Sequence, residues 1–226
     1  MEKYAVTITL TGLITATGLI TVGPSYQPFS VNSTIWNAND KSTIIALTNG
    51  DLTAEITSEP SPNTRKGVRS IYSASSGKYY WEITTLADYS APGLALSTWG
   101  LDSGTQVEVN SGFVGITQAG NPLNTMAGAT TVGTNAGDTT GATVSIALDI
   151  DNGKMWISST GTWPNSGDPA AGTNPFFTLP ANTFYAAQIL QALNPNKGKV
   201  TANFGQNTFT GIGVPTGFNM GFGLPN

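Results

Sequence analysis

The residues of this chain that could carry chemistry are mostly carboxylates, because it contains no histidine and no cysteine. The usual general base, the commonest nitrogen ligand of metals and every thiol nucleophile are therefore missing. Glycosidases need only two facing carboxylates, but no pattern marks such a pair here. We expect a protein that is not an enzyme. The carboxylates considered are Glu82, in a strand-like segment, and Glu55, Glu59, Asp88, Asp102 and Glu108 elsewhere.

Asp149, Asp151 and Gly153 follow the spacing of the first ligands of a calcium loop. A complete loop would need an oxygen ligand at its fifth position and a glutamate at its twelfth, which fall on Gly153 and Thr160. Asn152 and Gly153 instead lie between the strand-like runs VSIALD and KMWIS, and Asn-Gly favours a type I′ hairpin turn. The segment predicts a β-hairpin, and we expect no metal and no cofactor.

Phosphate-binding chemistry is not indicated either. The sequence has no P-loop and no dinucleotide-binding pattern, and nine Lys+Arg against 13 Asp+Glu give a net charge of −4. Arg65, Lys66 and Arg69 form the one basic cluster, which we interpret as part of a solvated loop. Nucleic acid is therefore not expected as a partner.

Aromatic side chains could bind a partner without catalysis. Trp81 and Trp156 lie in strand-like segments and are expected in the core. Trp99 and Trp163 lie beside Gly, Ser, Asp and Pro, in segments typical of loops. There an exposed indole could stack on a sugar or anchor a protein interface, and a loop that caps the core is the alternative. The candidate partner-binding residues are Trp99, Asp102, Asn121, Asn124 and Trp163.

The elements that would position these residues are short strands. Charged residues make up only 10% of the chain, glycines number 27, and turn signals separate apolar or alternating segments about every ten residues. This spacing predicts an antiparallel β-sandwich, with a long loop between Gln118 and Gly141. FYAAQILQAL is interpreted as a strand despite its helix-forming residues, because Pro180 and Pro195 flank it. Strands are expected at 43–48, 52–57, 68–73, 78–86, 93–98, 112–117, 143–150, 154–159, 184–192 and 199–205.

A separate segment precedes the sandwich. Residues 4–22 alternate apolar residues with threonine and contain TGLITA and TGLITV, which predicts strands with Gly12 and Gly18 at bends. The segment is either a hairpin added to the sandwich or an oligomerisation arm. The arm's apolar residues would be Leu13, Ile14, Leu19 and Ile20.

Glycine and prolines near residues 23–31 place a domain boundary there, giving an N-terminal arm at 1–31 and a sandwich at 32–226. No apolar run is long enough to span a membrane, and the N-terminus lacks a signal-peptide pattern. Insertion into a membrane is therefore not expected.

Four segments of the sandwich resemble motifs of the SPRY (B30.2-like) family, in the family's order. GKYYWEITT from Gly77 resembles the family's G-x-x-Y-W-E-V strand, and FVGIT from Phe113 resembles its V-G strand. VSIALDIDNGKMWIS from Val144 resembles its hairpin, and VTANFGQNTF from Val200 its closing strand. The resemblance covers roughly residues 32–218 and implies a SPRY-like antiparallel β-sandwich that serves recognition.

The two ends of the sandwich look closest to SPRY-like domains of bacteriophage structural proteins. This resemblance implies a non-enzymatic protein on the virion surface, such as a fibre, spike or decoration protein. Its expected partners are other virion proteins, a host-surface glycan or protein, and further copies of itself, for which a trimer fits a fibre-like attachment. A capsid or tail cement protein and a glycan depolymerase are the alternatives.

Overall fold

The computed structural model describes residues 4–9, 15–20, 34–61, 63–87, 90–102, 106–193 and 196–223. These residues form β-strands and turns, with two short 3-10 helices at Val107–Val109 and Pro164–Ser166 and no α-helix in the described ranges. No helix in this part of the chain has the length and apolar character that crossing a membrane requires.

The strands follow one another with short connections. In chain order they are β1 Tyr4–Thr9, β2 Thr15–Ile20, β3 Trp36–Lys41, β4 Ile45–Thr48, β5 Thr53–Ile56, β6 Arg65–Ala74, β7 Lys78–Ala87, β8 Ser90–Ala95, β9 Phe113–Ile116, β10 Pro122–Asn124, β11 Thr130–Thr131, β12 Thr143–Asp149, β13 Lys154–Ser158, β14 Phe177–Thr178, β15 Phe184–Leu193, β16 Asn196–Lys197, β17 Lys199–Asn203 and β18 Asn219–Met220.

Two sheets form a β-sandwich. The first sheet has the order β10-β9-β8-β15-β6-β3, with β16 paired to β15. The second has the order β11-β14-β13-β12-β7-β17-β5-β4, with β18 paired to β7. The pairings that build both sheets are antiparallel, except that β18 runs parallel to β7. The antiparallel sandwich expected from the sequence is therefore confirmed.

The core lies between the sheets and follows the period of two along each strand. In β12, Val144, Ile146 and Leu148 belong to the main core, whereas Ala147 packs on the opposite face of the second sheet. Because successive side chains of a strand point to opposite faces, the apolar alternation in the sequence predicted this arrangement. Each of the ten expected strands has a counterpart, with shifted ends.

Strand β15 shows why a helix-like sequence becomes extended. It lies between β8 and β6 in the first sheet, so both of its edges are hydrogen-bonded. Ala186 and Leu190 face the main core, and Ala187 and Ile189 face a second apolar cluster on the outer side. Burial on both faces outweighs the helix propensity of Ala, Gln and Leu.

The N-terminal strands β1 and β2 pair antiparallel in a two-stranded sheet of their own. Gly18 stands opposite Val6 in regular register, so the bend expected at Gly18 is wrong. Gly12 and the boundary between residues 31 and 32 lie outside the described residues.

The β12–β13 hairpin is confirmed, but its turn differs from the expected one. Asp149 pairs with Lys154, so the loop has four residues, and Gly153 is the one among them with a positive φ, at 61°. A type I′ turn would need positive φ at both central residues. Asp149 instead stabilises the loop, because its carboxylate accepts hydrogen bonds from the backbone N and the Nδ2 of Asn152, at 3.1 and 2.9 Å.

The long loop expected between Gln118 and Gly141 is interrupted by two short strands. Strand β10 pairs with β9, and β11 pairs with β14. The rest of the segment is irregular. Backbone hydrogen bonds hold its two ends together, one of them from Ala136 N to Gly120 O at 2.9 Å.

The basic cluster is not a solvated loop, and this expectation is wrong. Arg65, Lys66 and Arg69 lie in β6, and each forms an ion pair with an acidic residue of another segment. Arg69 donates to both carboxylate oxygens of Asp40, at 2.8 and 2.9 Å. Arg65 and Lys66 therefore fasten the segment after β8 to the first sheet, and Arg69 joins β6 to the neighbouring strand β3.

Glycines allow two strands and an aromatic ring to approach one another closely in the first sheet. Gly93 of β8 and Gly115 of β9 are cross-strand partners, and the ring of Phe113 lies beside both of them. A Cβ at Gly93 would collide with the carbonyl oxygen of Val114, and one at Gly115 with that of Pro92. Glycine is therefore required where these strands and the ring approach one another.

Gly93→Ala should destabilise the protein by about 1–3 kcal/mol, because the added methyl overpacks this contact. The measurement is the urea unfolding midpoint. Ala38→Val, on an exposed position of β3, is the control and should change stability by about 0.5 kcal/mol or less. An unchanged midpoint for Gly93→Ala would contradict the close approach.

Asp149→Asn should weaken the protein in a pH-dependent way. Burial alone would raise the pKa of Asp149, but hydrogen bonds from Asn152 and Lys78 outweigh it, so the pKa lies below its ordinary value. The stabilisation from the ionised carboxylate is therefore present above about pH 4 and is lost as the pH falls through the folded-state pKa.

At pH 7 we expect Asp149→Asn to lose about 1.5–3 kcal/mol in urea unfolding, and the difference should shrink below about pH 4. Asp138→Asn is the control, because the hydrogen bonds of Asp138 to the backbone N and the side chain of Thr140 are exposed to water, so the loss should be smaller. A difference that stays constant down to pH 3 would refute the ionic contribution.

Candidate functional site

The outer face of the first sheet is partly covered by the segment that follows β8. Trp99 lies against Gly67 of β6, where a side chain would collide with its ring, and its Nε1 donates to Val107 O at 3.0 Å. Its ring centroid is 5.0 Å from that of Phe113. Trp99 and Phe113 thus anchor a small outer cluster that also contains Ala91, Ala95, Val107, Ala187 and Ile189.

A pocket lies beside this cluster, next to the 3-10 helix Val107–Val109 in the segment that follows β8. Its cavity volume is about 80 Å³. The floor includes Ala91 of β8 and Ile189 of β15, which are cross-strand partners. We call this the Glu108 pocket, and its lining residues are Arg65, Ala91, Glu108, Thr117, Leu123 and Ile189.

A backbone bridge at the start of β6 brings Glu108 to the pocket. Arg65, the first residue of β6, forms a parallel bridge with Gln106, which precedes the 3-10 helix. The Arg65 Nη1 then pairs with Oε1 of Glu108, and its Nε donates to Gln191 Oε1 at 3.0 Å. Gln191 in turn donates to Asn63 Oδ1 at 3.1 Å. A polar chain therefore fixes the ion pair at the wall of the pocket.

One oxygen of Glu108 has no hydrogen-bond partner. The Glu108 side chain is 10% exposed, and its buried Oε2 receives no donor. Leaving a buried carboxylate oxygen unpaired is energetically unfavourable, by about 1–3 kcal/mol or more. Because Oε2 is itself fully buried, the ion pair with Arg65 is the interaction that holds this carboxylate at the wall of the pocket.

Trp99 and Asp102, two of the residues predicted to bind a partner, make contacts within the fold. Trp99 is 1% exposed, so the predicted exposed platform is wrong and the alternative of a loop that caps the core holds. Asp102 accepts from Ser42 Oγ at 2.7 Å and pairs with Lys66 Nζ at 2.9 Å. Burial would raise the pKa of Asp102, but these contacts lower it below its ordinary value.

The other three predicted residues lie in other segments of the chain. Asn121 is exposed beside β10, and Asn124 donates to Ala129 O at 3.0 Å. Trp163 is half-buried against the outer face of the second sheet, with its ring centroid 6.4 Å from that of Tyr80. Trp99 and Trp163 therefore lie on opposite outer faces, and the predicted residues do not form one site.

Of the arm residues, Leu19 and Ile20 belong to β2, opposite Ala5 and Tyr4. Leu13 and Ile14 lie outside the described residues.

Glu82 is enclosed by the C-terminal strap, which we define as residues 209–218. The backbone N–H groups of Thr210 and Gly211 donate to its two oxygens at 2.9 and 2.8 Å, and Tyr80 Oη donates at 2.6 Å. Burial and the contact with Glu82 raise the pKa of Tyr80 well above its ordinary value. This carboxylate holds the strap on the second sheet.

Metal binding finds no support in the described ranges, where no three His, Cys, Asp or Glu side chains are grouped closely enough to hold an ion. Asp149 pairs with Lys78 Nζ at 3.0 Å, and Asp151 accepts from Gly77 N at 2.8 Å. These carboxylates are therefore engaged in the hairpin.

The sequence does not predict a role in binding for Glu108 or Arg65. Glu108 is one of several scattered carboxylates, and Arg65 is expected in a solvated loop. The one local signal is a carboxylate between two valines, Val107 and Val109, which indicates a charge in an apolar setting.

Comparisons with known proteins identify the fold. No protein-family model and no curated protein sequence matches the chain. Among solved structures, the SPRY domain of human HERC1 superposes with a TM-score of 0.52 at 15% identity, over 74% of this chain and 96% of that domain. The fold is that of SPRY domains. The TRIM65 PSpry domain also matches, with a TM-score of 0.52 at 12% identity, over 76% of this chain and 92% of that one. The SPRY-like sandwich expected from the sequence motifs is thus confirmed.

Arg65→Met should destabilise the protein by about 2–4 kcal/mol, because it leaves the buried carboxylate of Glu108 without its cation. The double variant Arg65→Met/Glu108→Leu should recover most of that loss, because both charges are then removed. Urea unfolding of the two single variants and the double variant measures the coupling.

Lys66→Met is the control in the same strand. Its partner Asp102 is 48% exposed and can be hydrated when the cation is removed, so the loss should be smaller. A double variant no more stable than Arg65→Met would show that the pair is not coupled as described.

Proposed function

We propose that this chain is a non-enzymatic binding module that holds a segment of a partner protein in the Glu108 pocket. The observation that carries the proposal is a small pocket with apolar residues at its floor, on the outer face of the first sheet and next to the exposed Val109. The SPRY fold, which serves as a scaffold for recognition, agrees with this proposal.

The dimensions of the pocket favour a side chain over a whole small-molecule substrate. Pockets for small molecules and cofactors usually have volumes of about 300–1,000 Å³, whereas this cavity has about 80 Å³. A single partner side chain would occupy it while the rest of the partner lies on the surrounding surface. Among the described residues, Glu108 is the one carboxylate in the lining, so these residues do not provide the pair that glycoside hydrolysis needs.

The surroundings of the pocket are apolar enough to support a protein interface. Val109, the residue after Glu108, is 70% exposed, and the partly buried Leu123 lines the pocket. The buried centre of a protein interface is richer in apolar contacts than its rim. We therefore place the contact surface on Val109, Leu123 and the pocket itself.

The more specific proposal is that the module acts on the surface of a virion, as a fibre, spike or decoration protein. It rests on the resemblance of the two ends of the sandwich to SPRY-like domains of phage structural proteins. In this proposal the partner is another virion protein or a host-surface molecule, and the chain forms a homo-oligomer. The same protein acting as a capsid or tail cement is a variant of this proposal.

The arm formed by β1 and β2 supports an assembly role. Within the described residues these strands pair with each other and with no strand of the sandwich. An isolated two-stranded hairpin is at best marginally stable in water, so a contact with another chain would stabilise it. Strand addition to a partner's exposed edge is one such contact.

Photo-cross-linking at Val109 tests the binding function. The full chain, with p-benzoylphenylalanine at position 109, is irradiated in its native assembly, and adducts are identified by mass spectrometry. We expect a discrete adduct with one protein, and Leu123→Glu should abolish it by placing a charge at the surface.

The same photo-reactive residue at Val132 is the matched control, because this valine is 51% exposed next to β11 of the second sheet. Equal labelling from both positions, or no adduct from position 109, would overturn the proposed surface. An adduct with a virion protein or a host-surface protein would support the virion proposal, and one with a cellular protein of another kind would overturn it.

A further inference from the structure

The chain contains two Asn-Gly pairs, and the structure places them in different environments. They are Asn49-Gly50, between β4 and β5, and Asn152-Gly153, between β12 and β13. We propose that Asn49 is a site of spontaneous covalent modification, where deamidation yields aspartate or isoaspartate, and that Asn152 is protected from the same reaction. This inference is independent of the proposed binding function.

Deamidation at an Asn-Gly pair needs water and no other co-reactant. The backbone nitrogen of Gly50 attacks Cγ of Asn49, so a new N–C bond forms and the bond between Cγ and Nδ2 breaks. Ammonia leaves with the proton of the Gly50 amide, and a cyclic imide remains. Water then opens either carbonyl of the imide, which gives aspartate or isoaspartate without any change of oxidation state.

The turn at Asn49 leaves both reacting groups accessible. Asn49 and Gly50 are exposed, and both have a positive φ, at 55° and 62°. In the part of the chain that the structure describes, no protein group is hydrogen-bonded to the Asn49 carboxamide or to Gly50 N. The backbone oxygen of Asn49 accepts from Leu52 N at 3.3 Å, which is long for a hydrogen bond. Rotation of Asn49 into a position for attack therefore breaks little of the structure.

At Asn152 the corresponding groups are engaged. Its backbone N and its Nδ2 donate to the carboxylate of Asp149 at 3.1 and 2.9 Å. The nitrogen that would attack, Gly153 N, donates to Ile150 O at 3.1 Å. Attack first requires these hydrogen bonds to break, which should slow deamidation at Asn152 by about tenfold or more relative to Asn49.

The turn that contains Asn49 also holds a core residue. Trp36 is fully buried, and its backbone N and its Nε1 donate to Asp51 O at 2.9 Å and to Leu52 O at 3.0 Å. In isoaspartate the chain runs through the side-chain carbonyl, so the backbone of the turn gains one carbon. Isoaspartate at position 49 should therefore displace these carbonyls from Trp36, whereas aspartate leaves the backbone unchanged.

Peptide mapping by mass spectrometry tests the proposal. The full chain is incubated in a mildly alkaline buffer, and deamidation of the peptides that contain Asn49 and Asn152 is followed over time. We expect Asn49 to react about tenfold or more faster than Asn152. Equal rates at the two sites would overturn the proposal. So would an intact Asn49 after a time in which an unstructured peptide with the sequence of residues 48–51 has reacted.

Two variants, both checked for folding by thermal melting, test the two halves of the proposal. Gly50→Ala has room, because nothing lies within 4 Å of its Cβ, and the added methyl should slow deamidation at Asn49 without affecting Asn152. Asp149→Ala removes the acceptor of Asn152 and should speed deamidation there by about threefold to tenfold. A wild-type rate at Asn49 in the first variant, or at Asn152 in the second, would contradict the corresponding half.

Discussion

The close approach of an aromatic ring to a glycine of the sheet is the constraint on which the outer surface of the first sheet depends. Gly67 of β6 gives room to the indole of Trp99, which belongs to the segment that follows β8. With a side chain at position 67, this segment would be displaced from the sheet. The 3-10 helix that carries Glu108 would then no longer meet Arg65, so the pocket depends on the absence of one side chain elsewhere.

The two outer faces of the sandwich are covered by different physical means. On the first sheet, the ring of Trp99 lies against Gly67, and the ion pairs of Arg65 and Lys66 fasten the segment after β8. On the second sheet, the C-terminal strap is held by backbone N–H groups that donate to Glu82, Ser145 and Tyr80. Hydrogen bonds to a carboxylate are stronger than neutral ones, so the strap is fixed most firmly in its first half. The Glu108 pocket lies on the first sheet.

The sequence predicted the strands well and the surface poorly, for a physical reason. Strand positions follow from the alternation of apolar residues, which is local, and even β15 was recognised from its prolines and neighbours. The burial of Trp99 depends on Gly67, more than thirty residues away in the chain, and no local signal connects them. The basic residues of β6 looked like a solvated loop because their acidic partners are distant in sequence. The pocket likewise combines Arg65, Glu108 and Ile189 from three separate segments, which only tertiary structure brings together.

The floor and the wall of the Glu108 pocket belong to different structural elements. Ala91 and Ile189 belong to paired strands in the middle of the first sheet, so substitutions there disturb the sandwich itself. The wall is a short 3-10 helix of which Val107 is the member that packs into the outer cluster. Substitutions around Glu108 could therefore change the surface of the pocket with little effect on the stability of the sandwich. The residues at the wall and the residues at the floor could then evolve independently of each other.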